Sequence, residues 1–222
     1  MGKSVQFEEF NSVFKNFRNG VIQRGYYIKD FTITDMHEII KQSIALSYRD
    51  VQRALHGIGD FQEEKANAII WLEQELKSYF NEPPLNATQF NKWHKFLCDK
   101  IISFFCNYKR RCESGFTYGC AQKLINLAFK YIYCFDLIQS QYDKYAEYFR
   151  FCHITLDNGI LRWIGIPEGV THIHDYDLYI CMQKKAFSKQ LIGISDEIKL
   201  FPLEKEFMIY NYLQEKKEVT LK

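Results

Sequence analysis

The stretch DMHEIIKQSIALSYRDVQRAL, residues 35–55, indicates the fold class of this chain. Asp35, followed three positions later by Glu38, forms the pattern of a capping box, in which side chains satisfy the free backbone N–H groups at the start of a helix. Apolar residues then recur every three or four positions, which places them on one face of an α-helix: Met36, Ile40, Ile44, Tyr48, Val51 and Leu55. The stretch therefore predicts an amphipathic helix that ends near Gly57.

The same pattern recurs along the rest of the chain. Asp60 and Glu63 form a second capping box, ahead of a helical stripe that stops at the Pro83-Pro84 loop. Further helices are predicted from about residue 90 to the basic cluster at 109–111, from the turn at 114–119 to about 135, and over 141–149, 157–163, 175–189 and 203–215. Alternation with a period of two and linker-like tracts are both lacking. We therefore predict an all-α fold, with residues 1–222 forming a single globular domain of about eight to ten helices.

Composition limits the classes of function that the chain can serve. Of its residues, 47% are hydrophobic and 25% are charged, as in folded domains, and the net charge of +2 means that any nucleic-acid site must be local. No apolar run approaches the roughly 18 residues of a membrane span, and charged residues interrupt the first positions. Seven cysteines without metal-binding spacing are typical of reduced thiols, so we expect a cytoplasmic protein without a membrane partner.

Two local patterns suggest chemistry. The first is GCAQKLIN, residues 119–126, which follows a basic cluster (Lys109, Arg110 and Arg111) and a glycine-containing turn. A helix that starts after such a turn can present free backbone N–H groups to a phosphate, and nearby cations would strengthen the contact. Lys123, Asn126 and Lys130 fall on one polar stripe of this helix. An ordinary solvated helix face is the alternative interpretation.

The second pattern is LDNGI, residues 156–160, which follows an apolar stretch and precedes a predicted helix. Asp157 occupies the position of an N-cap, where a carboxylate accepts hydrogen bonds from backbone donors and interacts favourably with the helix dipole. A purely structural capping role is therefore one interpretation of Asp157, and a role in a reaction is the other.

Together the two patterns resemble the helix-hairpin-helix DNA glycosylases. In that family a G-x-G-x-K-T-A hairpin supplies a lysine and a V-D-x-x-V segment supplies an aspartate. Residues 119–125 and 156–160 match these motifs in part, with Ala121, Leu124 and Ile125 departing from the hairpin pattern. Residues 44–49 and 57–64 resemble the archaeal 8-oxoguanine glycosylase branch. The resemblance covers about residues 44–163 and places the hairpin around residues 101–135.

The resemblance implies a DNA N-glycosylase and AP lyase that acts on duplex DNA without a cofactor. Lys123 would be the amine nucleophile that attacks the sugar C1′, and Asp157 would activate that amine or stabilise the cationic sugar. The predicted DNA contacts are Lys109, Arg110, Arg111, Gly119, Gln122, Asn126 and Lys130. The candidates for the pocket that receives the flipped base are Arg49, Trp71 and Trp93, with Trp163 a further aromatic candidate.

Two alternative functions remain open from the sequence, whereas a metal site is not predicted. Arg49 and His56 match the R-x4–6-H pattern of the HEPN ribonucleases, which are also helical. His172 and His174 form an H-x-H pair beside Asp175, but we predict no metal site, because no further clustered ligand is identifiable and Asp175 is more simply a helix cap. A non-catalytic module that binds nucleic acid or protein is the second alternative.

Overall fold

The computed structural model describes residues 2–53, 61–108, 115–191 and 200–220, of which 73% are helical and none lies in a strand. The all-α prediction is thereby confirmed. The ten α-helices of these residues are α1 (Gly2–Gln23), α2 (Met36–Gln52), α3 (Gln62–Asn81), α4 (Ala87–Phe104), α5 (Tyr118–Tyr133), α6 (Asp136–Ser140), α7 (Tyr142–Phe149), α8 (Asn158–Trp163), α9 (Tyr176–Ser188) and α10 (Pro202–Thr220), with a 3-10 turn at Val170–His172.

Helix α5 lies at the centre of the fold. It is buried on nearly every side, as expected of a helix that other helices surround. Every one of its residues is buried except Tyr118, at its first position, and Lys123. Helices α2 and α4 pack directly against it, and α3 packs on both of them. Lys123 is thus the one residue inside the central helix whose side chain reaches the surface.

Helix starts follow the predicted caps. The carboxylates of Asp35, Asp157 and Asp175 each accept a hydrogen bond of 2.8 Å from the backbone N–H three residues later. These bonds satisfy donors that have no partner within the helix. The second predicted capping box includes Asp60, which lies outside the described residues, but the helix predicted to follow it is present as α3.

The long first helix was not anticipated from the sequence. Phe10, Phe14, Phe17 and Val21 are buried at helical spacing on one face of α1, where they contact α10 and the end of α5. For example, the ring of Phe14 lies edge-on to that of Phe207, with centroids 5.2 Å apart. The period was visible in the sequence, but this helix carries no acidic residue in its first turn to mark where it begins.

An extended segment, residues 152–156, passes through the interior and positions the chain next to α5. Because no strand pairs with it, side chains satisfy its buried backbone groups. Gln183 bonds both the N–H and the C=O of Ile154, at 3.0 and 2.6 Å, and Gln122 bonds both groups of Leu156, at 3.2 and 2.8 Å. Because Leu156 is bonded to Gln122 of α5, these contacts place Asp157 next to the central helix.

The cysteines of the described residues form no disulfide bond with one another. Cys98, Cys134 and Cys152 are buried, and burial raises the pKa of each thiol, so these side chains pack as small apolar groups. Cys112 lies outside the described residues. Within the described ranges, no helix is both long enough and apolar enough to cross a membrane.

Candidate active site

The side chains of Lys123 and Asp157 line the same cavity, although 34 positions separate them in the sequence. The cavity has a volume of about 430 Å³ and lies among α1, α2, α5, α8 and α10. It opens to the surface, and its lining residues include Tyr210, which is 39% exposed. We call this volume, together with the residues that line it, the central cavity.

A pair of neighbouring residues ties the two sides of the central cavity together. Gln122, which precedes Lys123, is fully buried and bonds both backbone groups of Leu156, which precedes Asp157. The side-chain amide of Gln122 is itself held by Asn126 and by the carbonyl of Gly119. The spacing between the backbones that carry Lys123 and Asp157 is therefore set by hydrogen bonds within the core.

A buried ion pair forms the floor of the central cavity. Lys130 Nζ donates to Glu206 Oε1 at 2.7 Å, and each side chain is only 3% exposed. The other oxygen of Glu206 accepts the backbone N–H of Thr155 at 2.7 Å. Burial raises the pKa of Glu206, and the charge of Asp157 raises it further, whereas the hydrogen bonds from Lys130 and Thr155 oppose that shift. Lys130 also lies 4.6 Å from the ring centroid of Phe17 and 5.1 Å from that of Tyr210.

Two arginines lie at the rim of the central cavity, where no sequence pattern had indicated them. Arg53 and Arg24 place guanidinium nitrogens 3.2 and 3.8 Å from opposite oxygens of Asp50, which also accepts a hydrogen bond from Tyr131. Both arginines also line a second cavity of about 470 Å³ between α1 and α10. The two cavities share five residues, so a groove leads from Lys123 past the arginines: Phe17, Arg24, Arg53, Tyr210 and Gln214.

Several residues predicted to contact DNA lie in the interior instead. Gln122 and Asn126 are at most 1% exposed, because their amides satisfy the extended segment and neighbouring side chains. Gly119 donates its N–H to Ile173 O at 3.1 Å, and a Cβ there would lie 1.7 Å from the carbonyl oxygen of Val170. Gly119 is thus needed for close packing against the 3-10 turn. Lys130 lies in the cavity floor.

Lys109, Arg110 and Arg111, the basic cluster predicted to contact DNA, lie outside the described residues. So does His56, the partner of Arg49 in the ribonuclease pattern. The turn that follows the basic cluster contains Gly115, whose φ of 54° lies in the left-handed region that favours glycine.

The candidate base-pocket residues lie away from the central cavity. Trp93 stacks on Tyr79 with centroids 4.6 Å apart, and Trp71 packs against Phe96 and Phe104. The guanidinium of Arg49 lies over the ring of Tyr26. None of Trp71, Trp93 and Arg49 lines the central cavity, so an aromatic wall there must come from Phe17, Tyr131 and Tyr210, which do line it.

A second group of buried polar side chains surrounds Asn126 of α5, and none of its members lines the central cavity. In this group, which we call the interior polar cluster, His94 bonds Tyr176 at 2.9 Å and Asn126 at 3.0 Å. His153 bonds Tyr179 at 2.8 Å and Asn91 at 2.8 Å. Burial lowers the pKa of His94 to about 4 and lowers that of His153 well below its ordinary value. Both rings are therefore neutral near pH 7.

Among the described residues, the H-x-H pair does not belong to a group of metal-binding side chains. His172 and His174 are exposed, and Asp175 caps α9. Within the described ranges, no three or more His, Cys, Asp or Glu side chains are grouped so that they could hold a metal ion.

Sequence and structure comparisons do not assign the chain to a known group. A search of protein-family models, of curated proteins and of solved structures finds no match to it.

Proposed function

We propose that this protein is a DNA N-glycosylase with AP lyase activity, in which Lys123 is the nucleophile and Asp157 assists it. One observation carries the proposal: Lys123 and Asp157 line a single cavity that opens to the surface. The core hydrogen bonds between Gln122 and Leu156 hold the two backbones at that spacing. If Lys123 were only part of a solvated helix face, there would be no reason for a carboxylate that is distant in the sequence to line the same cavity.

The proposed reaction begins when the neutral amine of Lys123 attacks C1′ of a flipped nucleotide. The bond between C1′ and the base breaks, and the base leaves with the electron pair and takes up the proton that the Lys123 ammonium gave up before the attack. The ring oxygen O4′ is then expelled and protonated, which leaves a Schiff base between Lys123 and C1′. Loss of a C2′ proton expels the 3′ phosphate and cuts the strand, and water finally releases Lys123 by hydrolysis.

Asp157 has two tasks in this scheme. It accepts the proton of the Lys123 ammonium before the attack and passes that proton to the departing base, and the carboxylate restored in this way stabilises the positive charge on the sugar. Its hydrogen bond from Ile160 N fixes one carboxylate oxygen at 2.8 Å, which leaves the other oxygen for the reaction. Asp157 can therefore cap α8 and take part in the reaction at the same time.

The groove beside the central cavity provides a path for the DNA backbone. Arg24 and Arg53 lie along it, and Asp50 is their shared counter-ion, so this rim keeps an excess of positive charge. Phosphates close to Lys123 would be bound by these arginines in addition to the predicted contacts of Lys109, Arg110 and Arg111.

The proposal is tested with Lys123→Gln. We expect this variant to lose all borohydride trapping on a duplex that contains an abasic site, because glutamine cannot form the Schiff base that borohydride reduces. The variant should remain folded and should bind the same duplex, since Lys123 is partly exposed and no hydrogen bond or ion pair joins its side chain to another described residue. The measurements are gel detection of the covalent adduct, thermal unfolding and a binding titration.

Lys184→Gln is the matched control, because Lys184 is an exposed lysine on α9 that does not line the cavity. It should trap as much DNA as the unaltered protein. A wild-type protein that forms no adduct, or an adduct that survives in Lys123→Gln, would refute the proposed function.

A further inference from the structure

The loop between α1 and α2, residues 24–35, carries two adjacent exposed tyrosines. Tyr26 is 47% exposed and Tyr27 is 49% exposed. The ring of Tyr27 forms no hydrogen bond or ring contact with another described residue. Burial of an aromatic ring is favourable, so two neighbouring rings in water are typical of a surface that another molecule covers.

The core fixes this loop on both sides of the tyrosines. Before them, Gly25 has a φ of 64° and donates its N–H to Ile22 O at 2.8 Å, which closes a tight turn at the end of α1. After them, Ile28 and Phe31 are each 1% exposed, and Phe31 O accepts a hydrogen bond from Asp136 N at 2.8 Å. The two rings are therefore held at the surface by the residues around them.

Three arginines lie around Tyr26. The guanidinium of Arg49 lies over the Tyr26 ring. A hydrogen bond from this guanidinium lowers the pKa of the Tyr26 hydroxyl, and the charges of Arg53 and Arg24 lower it further. Because such effects weaken with distance, all three guanidinium groups lie near this hydroxyl. We call Arg24, Arg49, Arg53, Tyr26 and Tyr27 the arginine–tyrosine surface.

The arginine–tyrosine surface has an excess of positive charge. Arg24 and Arg53 share Asp50 as their ion-pair partner, and the side chain of Asp50 is only 14% exposed. The third arginine forms no ion pair within the described ranges. Lys29 and Asp30 are both exposed in the same loop, and their charges offset each other. Three cations beside one largely covered carboxylate suit an anionic partner.

Arginines beside exposed tyrosine rings fit a single nucleic-acid strand. The guanidinium groups would bind its phosphates, and the rings would stack on its bases, whose flat faces are accessible in a strand that is not paired. In a duplex the bases are stacked on one another, so the rings would meet only base edges. An acidic peptide would pair with the arginines but would leave the rings without a planar partner.

We infer that the arginine–tyrosine surface binds single-stranded DNA, with a base stacked on Tyr27 and phosphates bound by the arginines. The surface adjoins the central cavity, because Arg24 and Arg53 also line it. The inference goes beyond the proposed function, since it concerns undamaged DNA and requires no reaction at Lys123. Only the choice of DNA rather than RNA rests on that function.

Tyr27→Ala tests the stacking contact. Fluorescence anisotropy measures the binding of labelled oligothymidine, oligouridine and duplex DNA, each of about 20 nucleotides or base pairs. The unaltered protein should bind oligothymidine most tightly. Tyr27→Ala should bind it about tenfold more weakly, the effect of one lost stacking contact, whereas Tyr27→Phe keeps a ring and should bind it normally.

The fold provides a control for this variant. Tyr27→Ala should unfold at the same temperature as the unaltered protein, since its ring has no contact to lose. Phe96→Ala removes another aromatic ring, 51% exposed on α4 and outside the arginine–tyrosine surface, and should leave the affinity for oligothymidine unchanged.

Arg53→Gln tests the phosphate contact. It should weaken binding of oligothymidine and reduce the slope of log affinity against log salt concentration by about 0.7, the value for one phosphate contact on a single strand. Arg150→Gln is the matched control, because Arg150 pairs with Glu147 at 3.0 Å and Arg53 pairs with Asp50 at 3.2 Å, each three residues apart. It should change neither the affinity nor the slope.

Other outcomes overturn the inference. Oligothymidine that does not bind, or binds equally to Tyr27→Ala and the unaltered protein, would exclude a stacking surface. A duplex that binds as tightly and is weakened as much by Tyr27→Ala would make the surface a duplex contact. Tighter binding of oligouridine would assign the surface to RNA, and displacement of oligothymidine by polyglutamate at equal charge would make it a general anion site.

The outcome is separate from that of the lysine chemistry. Anisotropy on undamaged DNA does not involve Lys123, so a protein that traps no abasic DNA could still bind oligothymidine through Tyr27. Loss of trapping would then count against the proposed function alone, and loss of oligothymidine binding against this inference alone.

Discussion

The interior polar cluster and the central cavity both adjoin α5, and their buried polar groups are used differently. In the cluster, both ring nitrogens of His94 and of His153 have partners, and the amide of Asn126 bonds four groups. In the central cavity, Lys123 is partly exposed and lines the same opening as Asp157. The polar groups of the cluster bond one another, whereas the cavity has charged side chains that a bound molecule could contact.

The difference separates a structural role from a binding role. A fully satisfied buried network stabilises one arrangement of the core and leaves nothing to bind a ligand. Charged side chains that line an open cavity, such as Lys123 and Asp157, are instead available to a molecule that enters it. We therefore interpret the histidines as structural, although buried histidines in a helical protein are often considered first as catalytic groups.

The largest effect that tests this contrast is expected for Asn126→Ala. The substitution would leave His94, Tyr179, Gln122 and the carbonyl of Ile154 short of a hydrogen-bond partner, so the free energy of unfolding should fall by about 3–5 kcal/mol. Urea unfolding measures this loss. The control is Asn67→Ala on the exposed face of α3, which should change the free energy of unfolding by no more than about 0.5 kcal/mol. If the two substitutions lowered the free energy of unfolding equally, the cluster would have no special structural role.

The next effect concerns pH and the two histidines. Their pKa values are lowered in the folded protein, to about 4 for His94, so the unfolded chain binds more protons below its ordinary histidine pKa of 6.5. The free energy of unfolding is therefore at its full value above about pH 6.5 and falls as the pH drops towards 4. His94 alone should contribute a loss of about 2 kcal/mol between about pH 7 and about pH 5.

Unfolding by urea at these two pH values measures the loss. His174→Gln removes an exposed histidine and should leave the pH dependence unchanged, whereas His153→Gln should reduce it. A stability that is flat across this window would contradict the neutral, buried state of the rings.

The smallest expected effect on stability is that of Asp157→Asn. Asparagine caps helices about as well as aspartate, so only the favourable interaction of the charge with the helix dipole is lost, about 0.5 kcal/mol. Base excision should nevertheless become at least about a hundredfold slower, because the proton acceptor and the stabilising charge are removed. Thermal unfolding and single-turnover excision, compared at equal folded fraction, measure the two effects.

Asp175→Asn provides the matched control for this variant. Asp175 caps α9 with a hydrogen bond of the same length, 2.8 Å, and does not line the central cavity. It should show the same small loss of stability with unchanged excision. If the two variants excise at the same rate, Asp157 is only a cap.

Local patterns were enough to predict most helices and three of their starts. The caps at Asp35, Asp157 and Asp175 depend on side chains within three residues, and such contacts can be read from a short stretch of sequence. The exposure of Gln122 and Asn126 was predicted wrongly, because polar side chains on a helix usually face water. Here they face an extended segment that needs hydrogen bonds in the core.

The sequence by itself determined the all-α class and singled out Lys123 and Asp157. Only the tertiary structure decided that the two line one cavity, that Glu206 holds Lys130 in its floor and that Thr155 Oγ1 stays without a partner. Lys123 and Lys130 are both lysines on the polar stripe of α5, and nothing local distinguishes them. The distinction comes from α10, 76 residues after Lys130, because a contact over that distance depends on packing and leaves no periodic signal in the chain.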